Sequence, residues 1–185
     1  MEFLLTPSFR VGILSSGAIW LLLSSTQLEA QEFRLESAGA RFGFRAESRT
    51  DEFYQTETFA NFDLPWYWEF CSNWRLQSRL DLAAGWLYGH TDDAFVGSAG
   101  PSLVLSLGDF PVSMVGGASP NIISRHEFGR TDLGTYFQFT SHIGFNWDIG
   151  SHVQFGYRIQ HMSNAGISSH NPGLNMHMFA LSYRF

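Results

Sequence analysis

Hydrophobic and polar side chains alternate with a period of two along most of the chain, and few long windows show helical periodicity. The clearest run covers about residues 73–89, where apolar or small residues alternate with arginine, glutamine and aspartate. A period of two places successive side chains on opposite faces of a β-strand. The pattern predicts about eight strands, over residues 41–47, 52–64, 73–89, 95–108, 110–122, 136–143, 152–163 and 174–185. Pro65 is expected to end the second of them.

The length and ending of these runs indicate a membrane barrel. Most predicted strands are about ten residues or longer, and the last one ends on Phe185. Transmembrane β-barrels need strands of about 9–11 residues with weak alternation, because only helices and closed barrels satisfy every backbone group in lipid. Trp66, Tyr67 and Trp68 suit an aromatic girdle at the membrane interface. We therefore predict an all-β fold, an eight-stranded antiparallel transmembrane β-barrel of the bacterial outer membrane. A secreted soluble barrel or sandwich is the alternative.

The N-terminal segment, residues 1–30, has the pattern of a secretory signal peptide. Arg10 supplies a positive charge, an apolar run follows, and a cleavage site is expected before Gln31. The apolar run is short for a membrane span, which needs about 20 residues. An uncleaved N-terminal anchor is the alternative. We divide the chain into a signal peptide, 1–30, and a barrel domain, 31–185.

Composition narrows the range of partners. Charged residues make up 15% of the chain and the formal net charge is −6, which argues against a nucleic-acid-binding surface. The single Cys71 excludes an intramolecular disulfide and a thiolate metal cluster, and is expected to pack as a small hydrophobe. Residues 90–93 carry a histidine and two aspartates, but metal sites need more ligands at defined spacing. We interpret this segment as a solvated turn.

His161 and Ser163 are two residues apart in the seventh predicted strand and therefore share a face. A base and a hydroxyl on one face are the minimum needed to activate a serine nucleophile. Their face also carries Phe155 and Ile159, so it is expected to contact lipid. Short turns face the periplasm in such barrels, which places this end of the strand in the outer leaflet. The alternative is that both residues only hydrogen-bond to lipid headgroups.

The motifs H-x-S-N-A-G at 161–166 and N-P-G-L-N at 171–175 resemble the signature of the lipid A 3-O-deacylase family, the PagL-type outer-membrane acyl hydrolases. Weaker similarity lies at 64–68 and 156–158. The resemblance implies a serine esterase that needs no cofactor and hydrolyses the 3-O-linked acyl chain of lipid A. Its partners would be lipid A, or lipopolysaccharide, and the outer membrane.

The same resemblance implies residue roles. Ser163 would be the nucleophile and His161 its general base, since the pKa of histidine lies near neutrality. The oxyanion would be stabilised by Asn164 with the backbone amides of Ala165 and Gly166.

One position departs from the family pattern. The glutamate that orients the histidine in the family falls at Asn175. An amide can hold an imidazole tautomer but cannot stabilise an imidazolium by charge. Three alternatives follow: a weaker histidine–serine–asparagine triad, another acid from a neighbouring loop, or lost activity.

Contacts to the substrate are expected near the outer end. Arg125 and Arg130, in a polar loop predicted over 124–132, are expected to bind lipid A phosphates, with a merely solvated loop as the alternative. His177 is either a phosphate contact or a packed side chain. A homodimer is left open. The rival function is a non-catalytic outer-membrane barrel that keeps the motif for assembly or lipid contact.

Overall fold

The structure, a computed structural model, describes residues 33–47, 52–70 and 73–185. The predicted signal peptide and Cys71 lie outside the described residues. No helix within those ranges is long and apolar enough to cross a membrane. The strands of the described ranges are β1 (Arg34–Arg45), β2 (Phe53–Phe70), β3 (Trp74–Gly89), β4 (Asp92–Leu107), β5 (Val112–Ile123), β6 (Glu127–Phe128), β7 (Thr131–Asp132), β8 (Phe137–Ile149), β9 (Val153–Ser163) and β10 (Leu174–Arg184).

Eight of these strands close into one antiparallel barrel in the order β1-β10-β9-β8-β5-β4-β3-β2. The first and last strands pair from Ser37 opposite Arg184 to Arg45 opposite Met176, so the sheet has no open edge. Closure lets each strand satisfy its backbone groups on both sides, which a bilayer requires. The predicted eight-stranded antiparallel barrel is confirmed.

The two ends of the barrel differ in the length of their connections. At one end the connections are residues 71–73, 108–111 and 150–152. At the other end they are residues 46–52, 90–91, 124–136 and 164–173. Short turns face the periplasm in barrels of this kind. The end with the longer connections is therefore the outer end, and β9 runs towards it.

The prediction that Pro65 ends the second strand is wrong. The strand continues to Phe70, and its pairing with β3 skips from Asp63 opposite Arg79 to Tyr67 opposite Gln77. The skipped residues form a bulge, in which a proline without an N–H is tolerated. Side chains of β3 replace the lost backbone bonds: Gln77 Nε2 donates to the carbonyl oxygen of residue 64 (2.8 Å) and Ser78 Oγ to that of residue 66 (2.5 Å).

The predicted polar loop over 124–132 also has more structure than expected. The short strands β6 and β7 form a two-stranded hairpin within it. Phe128 at its tip is fully buried and contacts the ring of Phe53 edge-on, with centroids 5.3 Å apart. Asp92 accepts hydrogen bonds from Arg125 (2.5 Å) and from the backbone N–H of Gly129 (3.1 Å). The hairpin is therefore folded over the outer end of the barrel and tied to the β3–β4 turn.

Apolar side chains cover the outside of the barrel, while its interior is polar through the middle. Arg41 contacts Glu57 at 2.8 Å and Asp81 at 2.9 Å. Arg158 lies 3.1 Å from Glu57 and 3.5 Å from Asp81, which completes a four-membered charge network. All four side chains are largely shielded from solvent. Two cations and two anions balance, so the interior carries this network without net charge.

Towards the outer end, the interior becomes apolar. The buried cluster consists of Phe53, Leu87, Ala94, Val96, Ile123, Phe128, Leu133, Met162, Leu174, Met176 and Met178. Several of these residues lie on β9 and β10 directly behind the outward-facing motif residues, because neighbouring positions in a strand point to opposite faces. The cluster therefore packs against the inner face of β9 and β10 at their outer end and stabilises the position of these strands.

Asp81→Asn should destabilise the barrel strongly. The change leaves Arg41 and Arg158 to share Glu57, and breaking a buried charge pair costs about 3–5 kcal/mol. Urea unfolding in lipid vesicles measures the loss. Glu69→Gln is the matched control, since its partner Arg75 is 46% exposed and such surface pairs contribute about 0–1 kcal/mol. Equal losses for the two variants would contradict the structural role of the network.

Candidate functional site

The two residues of the His-x-Ser motif lie at the outer end of β9 and on the outside of the barrel. His161 is exposed and Ser163 is half-buried. Gln160, which precedes His161, and Met162, which lies between the two, are buried in the interior. The predicted lipid-facing placement of His161 and Ser163 is confirmed. A water-soluble substrate inside the barrel would not meet these side chains, whereas a molecule in the outer leaflet would.

Asn175 holds the histidine from the neighbouring strand. The pairing of β9 with β10 sets Asn175 directly opposite His161. His161 Nδ1 and Asn175 Oδ1 are 2.7 Å apart, within hydrogen-bond distance. Since Nδ1 is engaged in this contact, Nε2 is the ring nitrogen without a hydrogen-bond partner among the described residues. The structure thus joins two of the three residues at which the family motif predicts a triad, and Ser163 lies on the same face of β9 two positions beyond His161.

A carboxylate that the sequence pattern did not single out completes this group. Asn175 Nδ2 donates a 2.5 Å hydrogen bond to Glu47 Oε1. Glu47 follows the end of β1, and the backbone N–H of Ala46 donates to the carbonyl oxygen of Asn175 at 2.8 Å. Strict alternation over residues 41–47 would put Glu47 on the same face as Arg41, opposite to Phe42 and Phe44. The chain bends after Arg45, however, so its carboxylate reaches the outer-face site.

Gly173 lies against the imidazole ring. A Cβ atom at this position would be 2.9 Å from His161 Cε1, closer than real Cβ contacts allow. The backbone φ of Gly173 is +65°, a conformation that favours glycine. The β9–β10 connection therefore approaches the histidine so closely that a side chain at position 173 would have to displace the imidazole ring.

The side chain of Asn164 points into the outer end of the barrel, away from the face that carries His161 and Ser163. Its side chain is fully buried and donates to the carbonyl oxygens of Leu133 (3.0 Å) and His170 (2.8 Å). Its Oδ1 accepts from the backbone N–H of Gly166 at 3.0 Å. Asn164 thus organises the 164–173 loop, and neither its amide nor the Gly166 N–H is available to an ester in this arrangement.

Ala165 sits between these two residues with an unusual backbone. Its φ is +53°, which places a non-glycine residue in the left-handed region. Such conformations cost about 1–3 kcal/mol and tend to occur at functional sites. The hydrogen bonds of Asn164 on one side and the glycine on the other maintain it. Of the three groups predicted to stabilise an oxyanion, the backbone N–H of Ala165 is the one without an assigned partner among the described residues.

The predicted substrate contacts are at three different places. Arg125 is paired with Asp92 on the β3–β4 turn. Arg130 is exposed at the tip of the hairpin. His177 follows Asn175 on the same face of β10, where its Nδ1 lies 2.8 Å from the hydroxyl of Tyr157 and its ring stacks on Tyr157. His177 is therefore a packed aromatic neighbour of the site.

One group of metal-ligating side chains occurs within the described ranges. Ligand atoms of His126, Glu127 and Asp132 lie within 4.8 Å of one another. His126 Nδ1 contacts Asp132 Oδ1 at 2.7 Å, and the same oxygen accepts from the backbone N–H of Gly134 at 2.7 Å. These two hydrogen bonds hold the pKa of the Asp132 carboxyl below its ordinary value. They fix the exit of the hairpin, which accounts for the cluster without a metal.

Gly173→Ala should impair the serine-esterase chemistry expected from the motif. The added methyl displaces His161, and a misplacement of about 1 Å can lower turnover about a hundredfold. Hydrolysis of a chromogenic long-chain acyl ester by the refolded barrel measures it. Gly150→Ala is the control, because Gly150 also has a positive φ (+76°) but a Cβ there has no neighbour within 4 Å. Comparable activity in both variants would show that Gly173 does not restrain the histidine.

Asn164→Ala should destabilise the outer loop. It removes the partners of two carbonyl groups and one N–H, and each buried unsatisfied group costs about 1–3 kcal/mol. Urea unfolding and protease cleavage within residues 164–173 report the change. Asn171→Ala removes one bond, from the Asn164 N–H, and should have a smaller effect. Unchanged stability with lost esterase activity would instead support the oxyanion role first predicted for Asn164.

Comparison with known proteins identifies a family and a relative that this chain resembles. The family model of lipid A 3-O-deacylase (PagL) matches residues 54–184. A lipid A deacylase PagL from Bordetella bronchiseptica is 31% identical over 145 residues, which cover 71% of this chain and 77% of that protein.

Solved structures share the architecture. The crystal structure of the outer membrane enzyme PagL superimposes with a TM-score of 0.66 at 22% identity, over 80% of this chain and 98% of that one. Neisserial surface protein A gives a TM-score of 0.50 at 14% identity, over 81% of this chain and 94% of that one. At these identities the structural likenesses show the fold alone.

Proposed function

Because the chain belongs to the lipid A 3-O-deacylase (PagL) family, we propose that it is an outer-membrane hydrolase that removes the 3-O-linked acyl chain of lipid A by a serine-esterase mechanism. The observation that carries this proposal is the position of His161 and Ser163 on the outside of the barrel, at its outer end. A lipid-facing nucleophile requires a substrate whose ester lies at the same depth in the outer leaflet. Lipid A meets that requirement.

The residues support a two-step ester hydrolysis. His161 Nε2 takes the proton from Ser163 Oγ as the oxygen attacks the ester carbonyl carbon. The tetrahedral intermediate collapses, the protonated imidazole returns the proton to the departing sugar oxygen, and an acyl-serine remains. Water then attacks the acyl-serine as His161 takes its proton, and the imidazolium returns that proton to the departing Ser163 Oγ as the fatty acid is released. Proton and acyl group are both accounted for without a metal or cofactor.

Among the described residues no hydrogen bond joins Ser163 Oγ to the imidazole. Contacts of this kind are often long in a free enzyme and tighten in the complex with substrate. We infer that a change of the serine rotamer brings the hydroxyl towards Nε2 in that complex. We expect bound ester, which excludes water from the site, to favour that rotamer.

We assign oxyanion stabilisation to the backbone N–H of Ala165 rather than to Asn164 or Gly166. The Asn164 amide and the Gly166 N–H are already engaged within the loop. Ala165 comes two residues after Ser163, and its left-handed backbone reorients the peptide units on either side. Asn164 then acts indirectly, by holding the loop in which that amide is fixed. A preorganised donor of this type contributes about 10²–10³ to turnover.

The surroundings suit a lipid with acyl chains and phosphates. An outward groove on β1, β2, β3 and β10 is lined mainly by small and aromatic side chains, among them Ala40, Thr58, Ala84, Phe42, Trp86 and Phe179. Phe179 and Asn175 project from the same face of β10. We infer that this groove takes an acyl chain, and of the two loop arginines we favour the exposed Arg130 as the phosphate contact, since Arg125 is paired with Asp92.

Mass spectrometry of lipid A from cells that express the wild type or Ser163→Ala tests the proposal. The wild type should produce lipid A that lacks one 3-hydroxyacyl chain, and the variant should leave it intact. Heat-modifiable migration on a gel shows that the variant is folded in the membrane. Unchanged lipid A in both strains would favour the rival function, a non-catalytic barrel. Association of two barrels stays a prediction, which cross-linking in membranes can test.

A further inference from the structure

Three side chains form a continuous hydrogen-bonded line at the outer end of the barrel. The line runs from His161 Nδ1 to Asn175 Oδ1 (2.7 Å) and from Asn175 Nδ2 to Glu47 Oε1 (2.5 Å). It joins three successive strands of the barrel, β9, β10 and the end of β1. Asn175 is the middle member and stands where the family motif has a glutamate.

The donor and acceptor in each of these two hydrogen bonds are determined by the carboxylate of Glu47. An ionised carboxylate can only accept hydrogen bonds, so Asn175 must turn its NH₂ group towards Glu47. The amide oxygen of Asn175 then faces His161, and this oxygen can only accept as well. His161 Nδ1 must therefore carry the hydrogen. The neutral imidazole is left with its lone pair on Nε2, the nitrogen that has to accept the serine proton.

Without the carboxylate, the amide has no preferred direction. Rotation of the Asn175 amide by 180° presents its NH₂ group to His161, which then accepts at Nδ1 and carries its hydrogen on Nε2. That tautomer cannot take a proton from Ser163. In the known triads the wrong tautomer is also what makes replacement of the acid by an amide so damaging.

We propose that Glu47 is the acid of this site, a positioning residue that acts through Asn175 to select the productive tautomer of His161. The inference rests on the proposed esterase function and adds a residue to it. It also explains how an asparagine at position 175 is compatible with activity, since the negative charge lies one hydrogen bond further from the imidazole.

The closure of the barrel places Glu47 for this role. The pairing of β1 with β10 ends with Arg45 opposite Met176, and the Ala46 N–H adds one more bond to the carbonyl oxygen of Asn175. The next residue along the chain is Glu47. Its carboxylate is half-buried and close to the outer surface, where a charge is less costly than at the middle of the bilayer.

The proposal is tested by removing the negative charge at position 47 and then restoring a negative charge at position 175. Glu47→Gln keeps the shape of the side chain but offers an NH₂ group, so the line can reverse, and kcat should fall about tenfold to a hundredfold with little change in KM. In the double variant Glu47→Gln/Asn175→Asp, the new amide at position 47 donates to the new carboxylate at position 175, which accepts directly from His161 Nδ1. The double variant should recover activity to the wild-type level or above.

Glu52→Gln is the matched control. Glu52 lies in the same β1–β2 connection and its carboxylate contacts the hydroxyl of Tyr54 at 2.9 Å. This variant removes the same charge from the same part of the surface and should keep wild-type kcat. A general effect of surface charge on lipid A binding would lower the activity of both single variants equally and would overturn the proposal.

The tautomer itself can be measured without turnover. Histidine-selective ¹⁵N labelling of the refolded barrel, with His161 assigned by comparison with His161→Gln, should show the Nδ1–H form in the wild type and in the double variant. Glu47→Gln should shift the population towards Nε2–H. A wild-type His161 that carries its hydrogen on Nε2 would overturn the proposal, as would a double variant no more active than Glu47→Gln.

The two hypotheses fail in different ways. If wild type and Ser163→Ala leave lipid A equally intact, the proposed function fails, while the NMR measurement still decides the role of Glu47. If the wild type is active and both the activity and the tautomer ratio of Glu47→Gln match the wild type, the function stands and the assignment of Glu47 is wrong.

Discussion

The closed ring of backbone hydrogen bonds is the constraint on which the rest of this structure depends. Within a bilayer there is no water to pair with the N–H and C=O groups of an edge strand, so the first and last strands must pair with each other. Here that pairing joins β1 to β10. Residues at opposite ends of the chain become neighbours, and Glu47 meets Asn175 although 128 positions separate them.

Closure also determines which side of the sheet is free for chemistry. The interior is occupied by the charge network of Arg41, Glu57, Asp81 and Arg158 and, further out, by an apolar cluster. Both stabilise the barrel, and both fill the space in which a soluble enzyme would place its cleft. The outer face remains, and it contacts lipid. A site on that face needs strands whose position is fixed, and the buried residues that pack against the inner face of β9 and β10 stabilise them.

The features that a single strand determines were predictable from sequence. The period of two identified the strands and the outward face of His161 and Ser163, since each depends on local alternation. Features that depend on neighbouring strands were not. The second strand continues past Pro65 because Gln77 and Ser78 of β3 donate hydrogen bonds to its bulge. The position of Glu47 in the site could not be predicted, because alternation reveals neither the bend at the end of β1 nor the register in which that strand meets β10.

Asn175, at a position where the family resemblance implies an acid, shows what the proposed site requires. The histidine needs an acceptor at Nδ1, and the direction of that hydrogen bond must be fixed. A carboxylate fulfils both conditions alone, whereas an amide fulfils the first and depends on its other neighbour for the second. Glu47 supplies that neighbour from beyond the end of β1, one register position further towards the outer end of the barrel than Asn175. Because the desolvation of a charge costs less towards the interface, this arrangement keeps the polarity of a triad while it moves the charge away from the lipid.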